Sequence, residues 1–291
     1  MLGLFCSDPA QAASQSPDLT LQAADAAIRD GARFIEQGQW EDARRAFERA
    51  IAWRSDLAIA HYNLGVTLGV LGRSSDAIAA YRTALQRQPS LVEARVNIGV
   101  ELFKANRLED ALDELRQAVR KAPAHVAAHH NLGVVLASLG RLVEALTVLD
   151  RAASLAPEDQ SIQHTLADTH YNIGVQHARG RHWGAAIASY EKAIRFNRDL
   201  PEAWNGMGLA LARTARHELA VTMYGEALSR RPAFAVAQYN LARSLAALRR
   251  YSEAIAACQT VLERRPNLQP AVHLLDHLRR LVAPASRSAG A

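Results

Sequence analysis

Histidine is the residue type in this sequence best suited to hold a metal ion, since the chain carries 11 of them. His129 and His130 are adjacent, so on a helix their side chains would point about 100° apart. His170 and His177 would share a helix face, but no acidic or thiol ligand stands beside them at a suitable spacing. We therefore predict that the chain has no metal site and uses no cofactor.

Asparagine holds one place in a phrase that the sequence repeats. "HYNLG" at 61–65 returns as "RVNIG", "HHNLG", "HYNIG" and "QYNLA", with the asparagines at Asn63, Asn97, Asn131, Asn172 and Asn240. An amide both donates and accepts hydrogen bonds, which suits the backbone of an extended peptide. Asparagine is a mediocre helix former, so its return requires a reason. It either contacts a ligand or ties neighbouring helices together.

Sequence motifs of enzymes are missing. The chain has no GxxxxGK[ST], GxGxxG, GxSxG or HExxH motif, which are the patterns for phosphate binding, dinucleotide binding, acyl transfer and zinc hydrolysis. We therefore predict that the protein is not an enzyme and has no small-molecule substrate.

A period of 34 residues places these side chains. The first residue of the phrase recurs every 34 residues, except for one interval of 41 residues, at His61, Arg95, His129, His170, Trp204 and Gln238. Because three histidines share this position with Trp204, we predict that it packs between helices. Further series in step are Ala43, Ala77, Ala111, Ala145, Ala186, Ala220 and Ala254, and prolines at Pro89, Pro123, Pro157, Pro232 and Pro266.

Residues 58–91 carry the pattern of a known family. The residues are Leu64, Gly65, Leu68, Gly72, Ala77, Tyr81, Ala84 and Pro89. They resemble the tetratricopeptide repeat, a pair of helices joined by a short turn. The resemblance covers seven repeats: 24–57, 58–91, 92–125, 126–159, 167–200, 201–234 and 235–268. It implies an all-α fold, a right-handed superhelical α-solenoid of seven helix pairs, with a C-terminal capping helix at 269–283.

One position of each second helix is predicted to lie in the core. Ala77 and Ala84 share a helix face, because seven residues make two turns. The position between them, here called the aromatic position, holds Phe47, Tyr81, Leu115, Leu149, Tyr190, Tyr224 and Cys258. A small residue on the first helix, such as Gly65, would let the second helix approach.

Seven extra residues precede the fifth repeat, "QSIQHTL" at 160–166. Two helical turns shift the phase by only about 20°. We therefore predict that they lengthen the first helix of that repeat, and a loop is the alternative. The extension is either structurally neutral, which we favour, or a lip on the groove.

The resemblance also implies a binding surface, because the first helices of this family line a concave groove. The predicted groove residues are Asn63, Asn97, Asn131, Asn172, Asn240, Tyr62, His130, Tyr171, Tyr239, Arg179, Arg213 and Arg243. We predict that the chain is a scaffold, which binds an extended or helical segment of another protein there.

Charge leaves two alternatives open. From Arg230 onward the chain has 10 arginines and 3 acidic residues. A basic end could attract an acidic protein, nucleic acid or anionic lipid, but a solvated arginine-rich surface is the interpretation we favour. Nucleic acid and membrane are therefore not predicted partners. The other alternative is end-to-end self-assembly, which would give a homo-oligomer.

The two termini differ from the repeats. We assign residues 1–23 to a disordered tail or the remnant of a signal peptide, and 284–291 to a tail. A signal peptide needs a positive start and an apolar run of about 7–15 residues, whereas the first basic residue here is Arg29. The sequence as written predicts a cytoplasmic protein, and an exported one if the true start lies upstream of Met1.

Overall fold

Helices make up the regular structure of residues 17–283, which are the residues that the computed structural model describes. They are α1 (Pro17–Glu36), α2 (Trp40–Trp53), α3 (Ala58–Val70), α4 (Ser74–Arg87), α5 (Val92–Lys104), α6 (Leu108–Lys121), α7 (Val126–Ser138), α8 (Leu142–Leu155), α9 (Gln160–Arg179), α10 (Trp183–Phe196), α11 (Pro201–Arg213), α12 (His217–Arg230), α13 (Ala235–Ala247), α14 (Tyr251–Arg264) and α15 (Gln269–Val282).

The chain divides into two units, each a stack of helix pairs. Unit 1, Met1–Pro157, contains α1–α8, and unit 2, Glu158–Ala291, contains α9–α15. In each pair the odd-numbered helix is the first helix and the next one is the second helix. Each pair packs on the following pair of its unit, and α15 packs on α14. The predicted all-α fold of stacked helix pairs is confirmed within each unit.

The start of α1 corrects one predicted boundary. Residues 17–23, which we assigned to a tail, belong to α1. Buried residues recur at helical spacing from Thr20 through Ala24 and Ala27, so the face that packs on α2 begins upstream of the first repeat. Proline suits the first turn of a helix, which explains a start at Pro17. The tail predictions for 1–16 and 284–291 lie outside the described residues.

The extra seven residues extend α9, as predicted, rather than forming a loop. Asp159 caps the helix, since its Oδ1 accepts hydrogen bonds from the backbone nitrogens of Ser161 at 2.9 Å and Ile162 at 3.3 Å. An N-cap of this kind satisfies backbone donors that have no partner within the helix. Ile162 and Leu166 in the added turns are fully buried.

The aromatic position is buried in all seven pairs, as predicted. In the second pair it meets the glycine of the first helix, because a Cβ placed on Gly65 would lie 2.6 Å from the ring of Tyr81. The seventh pair replaces the glycine with Ala242 and the large residue with Cys258. A larger residue on one helix is thus matched by a smaller one on the other, which keeps the interior closely packed.

The turn inside each pair contains one residue with a left-handed backbone. The residues are Gly38, Gly72, Asn106, Gly140, Arg181, Ala215 and Arg249, with φ between 57° and 75°. Glycine adopts this conformation without steric cost, whereas other residues are strained there. Asparagine also tolerates it, so three of the seven turns, those with Arg181, Ala215 and Arg249, use a residue type that the conformation does not favour.

No helix of the described part of the chain is both long and apolar enough to cross a membrane.

Candidate functional site

The first residue of the repeated phrase contacts the loop before its helix in three of the repeats. The ring nitrogens of His61 and His129 form hydrogen bonds with backbone carbonyls of Ser55 and Pro123, at 3.0 and 3.1 Å. The indole nitrogen of Trp204 makes the same kind of bond to Arg198, at 2.9 Å. These side chains anchor the first helix to the loop before it. Within residues 17–283, no group of three His, Cys, Asp or Glu side chains is placed to hold a metal ion.

In unit 1, Asn97 ties two helix pairs together. Its Nδ2 lies 3.4 Å from the hydroxyl oxygens of both Tyr62 on α3 and Tyr81 on α4. The two tyrosine rings are in contact, with centroids 5.8 Å apart. Burial raises the pKa of Tyr81, and that of Tyr62 is also raised by burial. Both phenols are therefore neutral at physiological pH, so each can share a hydrogen bond with the amide.

Asn131 lies on a pocket instead of bonding to a tyrosine. The aromatic position of the preceding repeat holds Leu115, which has no hydroxyl and is shorter than Tyr81. A pocket of about 280 Å³ lies there, and its lining includes Val100, Phe103, Lys104, Leu115, Asn131 and Val134. We call it the Leu115 pocket. The Asn131 side chain forms no hydrogen bond with any residue of 17–283, so its donor and acceptor are both available to a ligand.

In unit 2, Asn240 repeats the tie made by Asn97. Its Nδ2 donates a 3.1 Å hydrogen bond to Oδ1 of Asn205 on α11, and the residue is only 8% exposed. Asn172 on α9 is exposed, and Asn63 on α3 in unit 1 is half-buried. Neither of these two side chains makes a hydrogen bond within the described part of the chain. The asparagine row is therefore not uniform.

The aromatic residues beside the row differ in their contacts. Tyr171 packs on Tyr190 with ring centroids 5.8 Å apart, as Tyr62 packs on Tyr81. Tyr239 is half-buried, and the guanidinium of Arg243 lies over its ring at 5.9 Å. His130 is half-buried on α7. These side chains leave part of their surface open along the first helices.

The predicted arginines are exposed on three successive first helices of unit 2: Arg179 on α9, Arg213 on α11 and Arg243 on α13. A cleft of about 360 Å³ is lined by Arg179, Arg213 and Trp183, among others. A second cleft of about 340 Å³ is lined by Arg213 and Arg243 together with Asn240. Arg213 belongs to both clefts, so the three arginines border one continuous strip of surface.

Sequence reasoning missed the buried carboxylate of Glu101, which is 4% exposed. It accepts a 2.6 Å hydrogen bond from the hydroxyl of Ser74 and pairs with the ammonium of Lys104 at 2.7 Å. Lys104 is thereby held at the Leu115 pocket. The other repeats hold residues of mixed type at this position, namely Arg33, Thr67, Val135, Gln176, Ala210 and Ser244, so the repeat pattern does not mark Glu101 as a buried charge that needs partners.

Family models match most of the sequence. Models described as tetratricopeptide repeat match residues 29–92, 96–160 and 211–276, and one described as TPR repeat matches 177–214. A comparison with curated proteins finds no match.

Solved structures that resemble this chain are repeat proteins of the same architecture. The C-terminal part of a TPR repeat-containing protein from Cytophaga hutchinsonii has a TM-score of 0.66 and 14% identity, covering 85% of this chain and 99% of that chain. A tetratricopeptide repeat protein from Parabacteroides merdae has a TM-score of 0.55 and 14% identity, covering 88% and 99%. MamA from Desulfovibrio magneticus RS-1 has a TM-score of 0.51 and 22% identity, covering 61% and 97%. At these identities the likeness concerns the fold.

Proposed function

This chain belongs to the tetratricopeptide repeat family, and on that premise we propose that it is a protein-interaction scaffold. It binds an extended segment of another protein along the first helices. Repeat proteins of this architecture present long surfaces built from neighbouring repeats, and such surfaces suit an extended ligand. The proposal assigns no catalytic step to the chain.

The observation that carries the proposal is the position of Asn131 at the Leu115 pocket. Its amide is free of hydrogen bonds to residues 17–283, and the pocket beside it is lined largely by apolar side chains. A peptide backbone supplies one donor and one acceptor per residue, which an asparagine amide can satisfy at once. The adjacent pocket has room for one apolar side chain of that peptide. Together these features suit a main-chain contact plus one side-chain anchor.

The remaining predicted contacts form part of the same proposal. Asn63 and Asn172 offer further free amides on their first helices. Tyr62, His130, Tyr171 and Tyr239 contribute partly open surface beside the row. Asn97 and Asn240 act mainly by fixing the spacing of consecutive first helices, because their amides are already engaged.

The test is a variant that copies the second repeat into the third. In Leu115→Tyr the phenol would fill the pocket and approach Asn131, as Tyr81 approaches Asn97. Peptides selected from a random displayed library on the wild-type chain should carry an apolar residue, and they should bind Leu115→Tyr about tenfold or more weakly, since one buried apolar side chain contributes roughly 1.5–3 kcal/mol. Asn131→Ala should lower the affinity for the same peptides.

A matched control separates the pocket from a general effect of tyrosine. Leu219 lies exposed on the second helix α12, so Leu219→Tyr makes the same chemical change away from the first helices. It should leave peptide affinity unchanged. If Leu115→Tyr folds like the wild type and binds the selected peptides with unchanged affinity, the Leu115 pocket is not the binding site.

A further inference from the structure

Three arginines of unit 2 have no acidic partner within residues 17–283. We call Arg179, Arg213 and Arg243 the arginine face. None of them forms an ion pair or a hydrogen bond with a described residue, although some arginines elsewhere in the unit do. Arg230 pairs with Glu226 at 2.6 Å, and Arg250 pairs with Glu253 at 2.7 Å. The arginine face therefore carries positive charge that the described residues do not neutralise.

The acidic side chains nearest the arginine face either contact other arginines or lie too far away to neutralise it. On α11, Glu202 forms an ion pair with Arg231. Glu218, at the start of α12, lies 3.4 Å from Arg250. Asp168 is on α9, but it is eleven residues from Arg179, which is about 16 Å along a helix. The local balance of charge on this strip therefore favours a negatively charged ligand.

Two of the guanidinium groups are held by aromatic rings. The Arg213 guanidinium lies 5.9 Å from the ring centroid of Trp183, and that of Arg243 lies 5.9 Å from Tyr239. An arginine that rests on an aromatic face loses less side-chain freedom when it binds a ligand. The planar guanidinium can donate two parallel hydrogen bonds to a carboxylate. The geometry thus favours directed hydrogen bonds to carboxylates over a diffuse attraction to any anion.

We propose that the arginine face binds an acidic protein segment, an extended stretch in which Asp or Glu side chains reach successive arginines. This inference rests on the proposed function and names the chemistry of its ligand in unit 2. Packed helices lie about 8–10 Å apart, so three first helices span roughly 20 Å. An extended chain covers that distance in about six residues. Single-stranded nucleic acid is disfavoured, because the guanidinium groups already cover the ring faces of Trp183 and Tyr239 on which bases would stack.

The experiment uses the full chain and a defined probe. A fluorescein-labelled peptide of about eight residues, long enough for the strip, alternates Glu and Ser, and its neutral match carries Gln in place of Glu. The acidic peptide should bind at least about tenfold more tightly than the neutral one, with an affinity that falls as ionic strength rises. The triple variant Arg179→Gln, Arg213→Gln, Arg243→Gln should lose about tenfold or more in affinity for the acidic peptide.

The control removes the same charge from elsewhere in unit 2. Arg195, Arg279 and Arg280 are exposed on α10 and α15, and their triple change to Gln should alter affinity less than about twofold. Equal loss in both triple variants would overturn the proposal, and so would equal binding of the acidic and neutral peptides. No saturable binding of the acidic peptide would also overturn it. A single-stranded oligonucleotide that binds more tightly than the peptide, and loses affinity in the first triple variant, would assign the face to nucleic acid instead.

The same variants separate this inference from the proposed function. Peptides selected for the Leu115 pocket are measured on the arginine triple variant as well. If they still depend on Leu115 while the acidic peptide fails to bind, the arginine face alone is refuted. The scaffold proposal fails too if the selected peptides bind independently of Leu115 and the acidic peptide binds independently of the arginine face.

Discussion

The side-chain amide of Asn240 on α13 donates a 3.1 Å hydrogen bond to the side-chain oxygen of Asn205 on α11. In unit 1 the amide of Asn97 approaches the hydroxyl of Tyr62 in the same way. In both pairs the donor comes 35 residues after the acceptor. Consecutive first helices are therefore joined by a polar contact at one repeat position, and these two asparagines serve the fold before they serve a ligand.

Replacing Asn240 with alanine should destabilise the protein. The change leaves the side-chain oxygen of the half-buried Asn205 without its donor, which costs about 1–2 kcal/mol in the free energy of unfolding. Urea unfolding followed by circular dichroism measures it. Asn172→Ala is the matched control, because that side chain is exposed, and it should change stability by less than about 0.5 kcal/mol. A similar loss in both variants would contradict a tying role specific to Asn240.

Gly65 and Tyr81 form a contact that a double-mutant cycle can measure. A Cβ on Gly65 would lie 2.6 Å from the tyrosine ring, so Gly65→Ala should destabilise the protein by about 1–3 kcal/mol. In the seventh repeat the same two positions hold Ala242 and Cys258. We therefore expect Gly65→Ala to cost less in a Tyr81→Cys background than in the wild type. If the two changes are additive in thermal unfolding, the glycine is not required by the tyrosine.

The sequence predicts the packing positions well because they have steric requirements that recur every repeat. The positions of Gly65 and Tyr81 hold residues of complementary size in the other repeats, so the spacing of residue types is enough to assign the helix pairs. The Leu115 pocket could not be predicted in this way. Leucine and tyrosine both suit a buried position, and whether neighbours fill the space of the missing ring depends on rotamers and helix spacing. Whether each asparagine finds a hydrogen-bond partner also depends on rotamers and helix spacing.

The start of α1 shows a second limit of repeat-based reasoning. Residues 17–23 precede the first repeat, so the 34-residue period carries no information about them. The burial of Thr20 was readable only from its helical spacing to Ala24 and Ala27.

The left-handed turn of the sixth pair offers a stabilising substitution. Ala215 has φ of 59°, which costs an alanine about 1–2 kcal/mol relative to a right-handed conformation. Ala215→Gly should therefore raise the free energy of unfolding by about 0.5–1 kcal/mol. Gly72 is at the equivalent position with φ of 75° and open space around its Cα, so Gly72→Ala should lower stability by a similar amount. Urea unfolding of the two variants should give changes of opposite sign, and changes of the same sign would refute the assignment to backbone strain.

The buried tyrosines predict a loss of stability at alkaline pH. Burial raises the pKa of Tyr190 and of Tyr224 to about 12, whereas an unfolded tyrosine titrates near 10. Since the folded-state pKa is the higher one, this contribution is fully present below about pH 10 and is lost as the pH rises through about 12. Urea unfolding across this range should show the decline, and tyrosinate absorbance should rise in step with it. The double variant Tyr190→Phe, Tyr224→Phe keeps the rings but removes both hydroxyls, so its stability should fall less steeply with pH. An equally steep decline in that variant would show that other groups cause it.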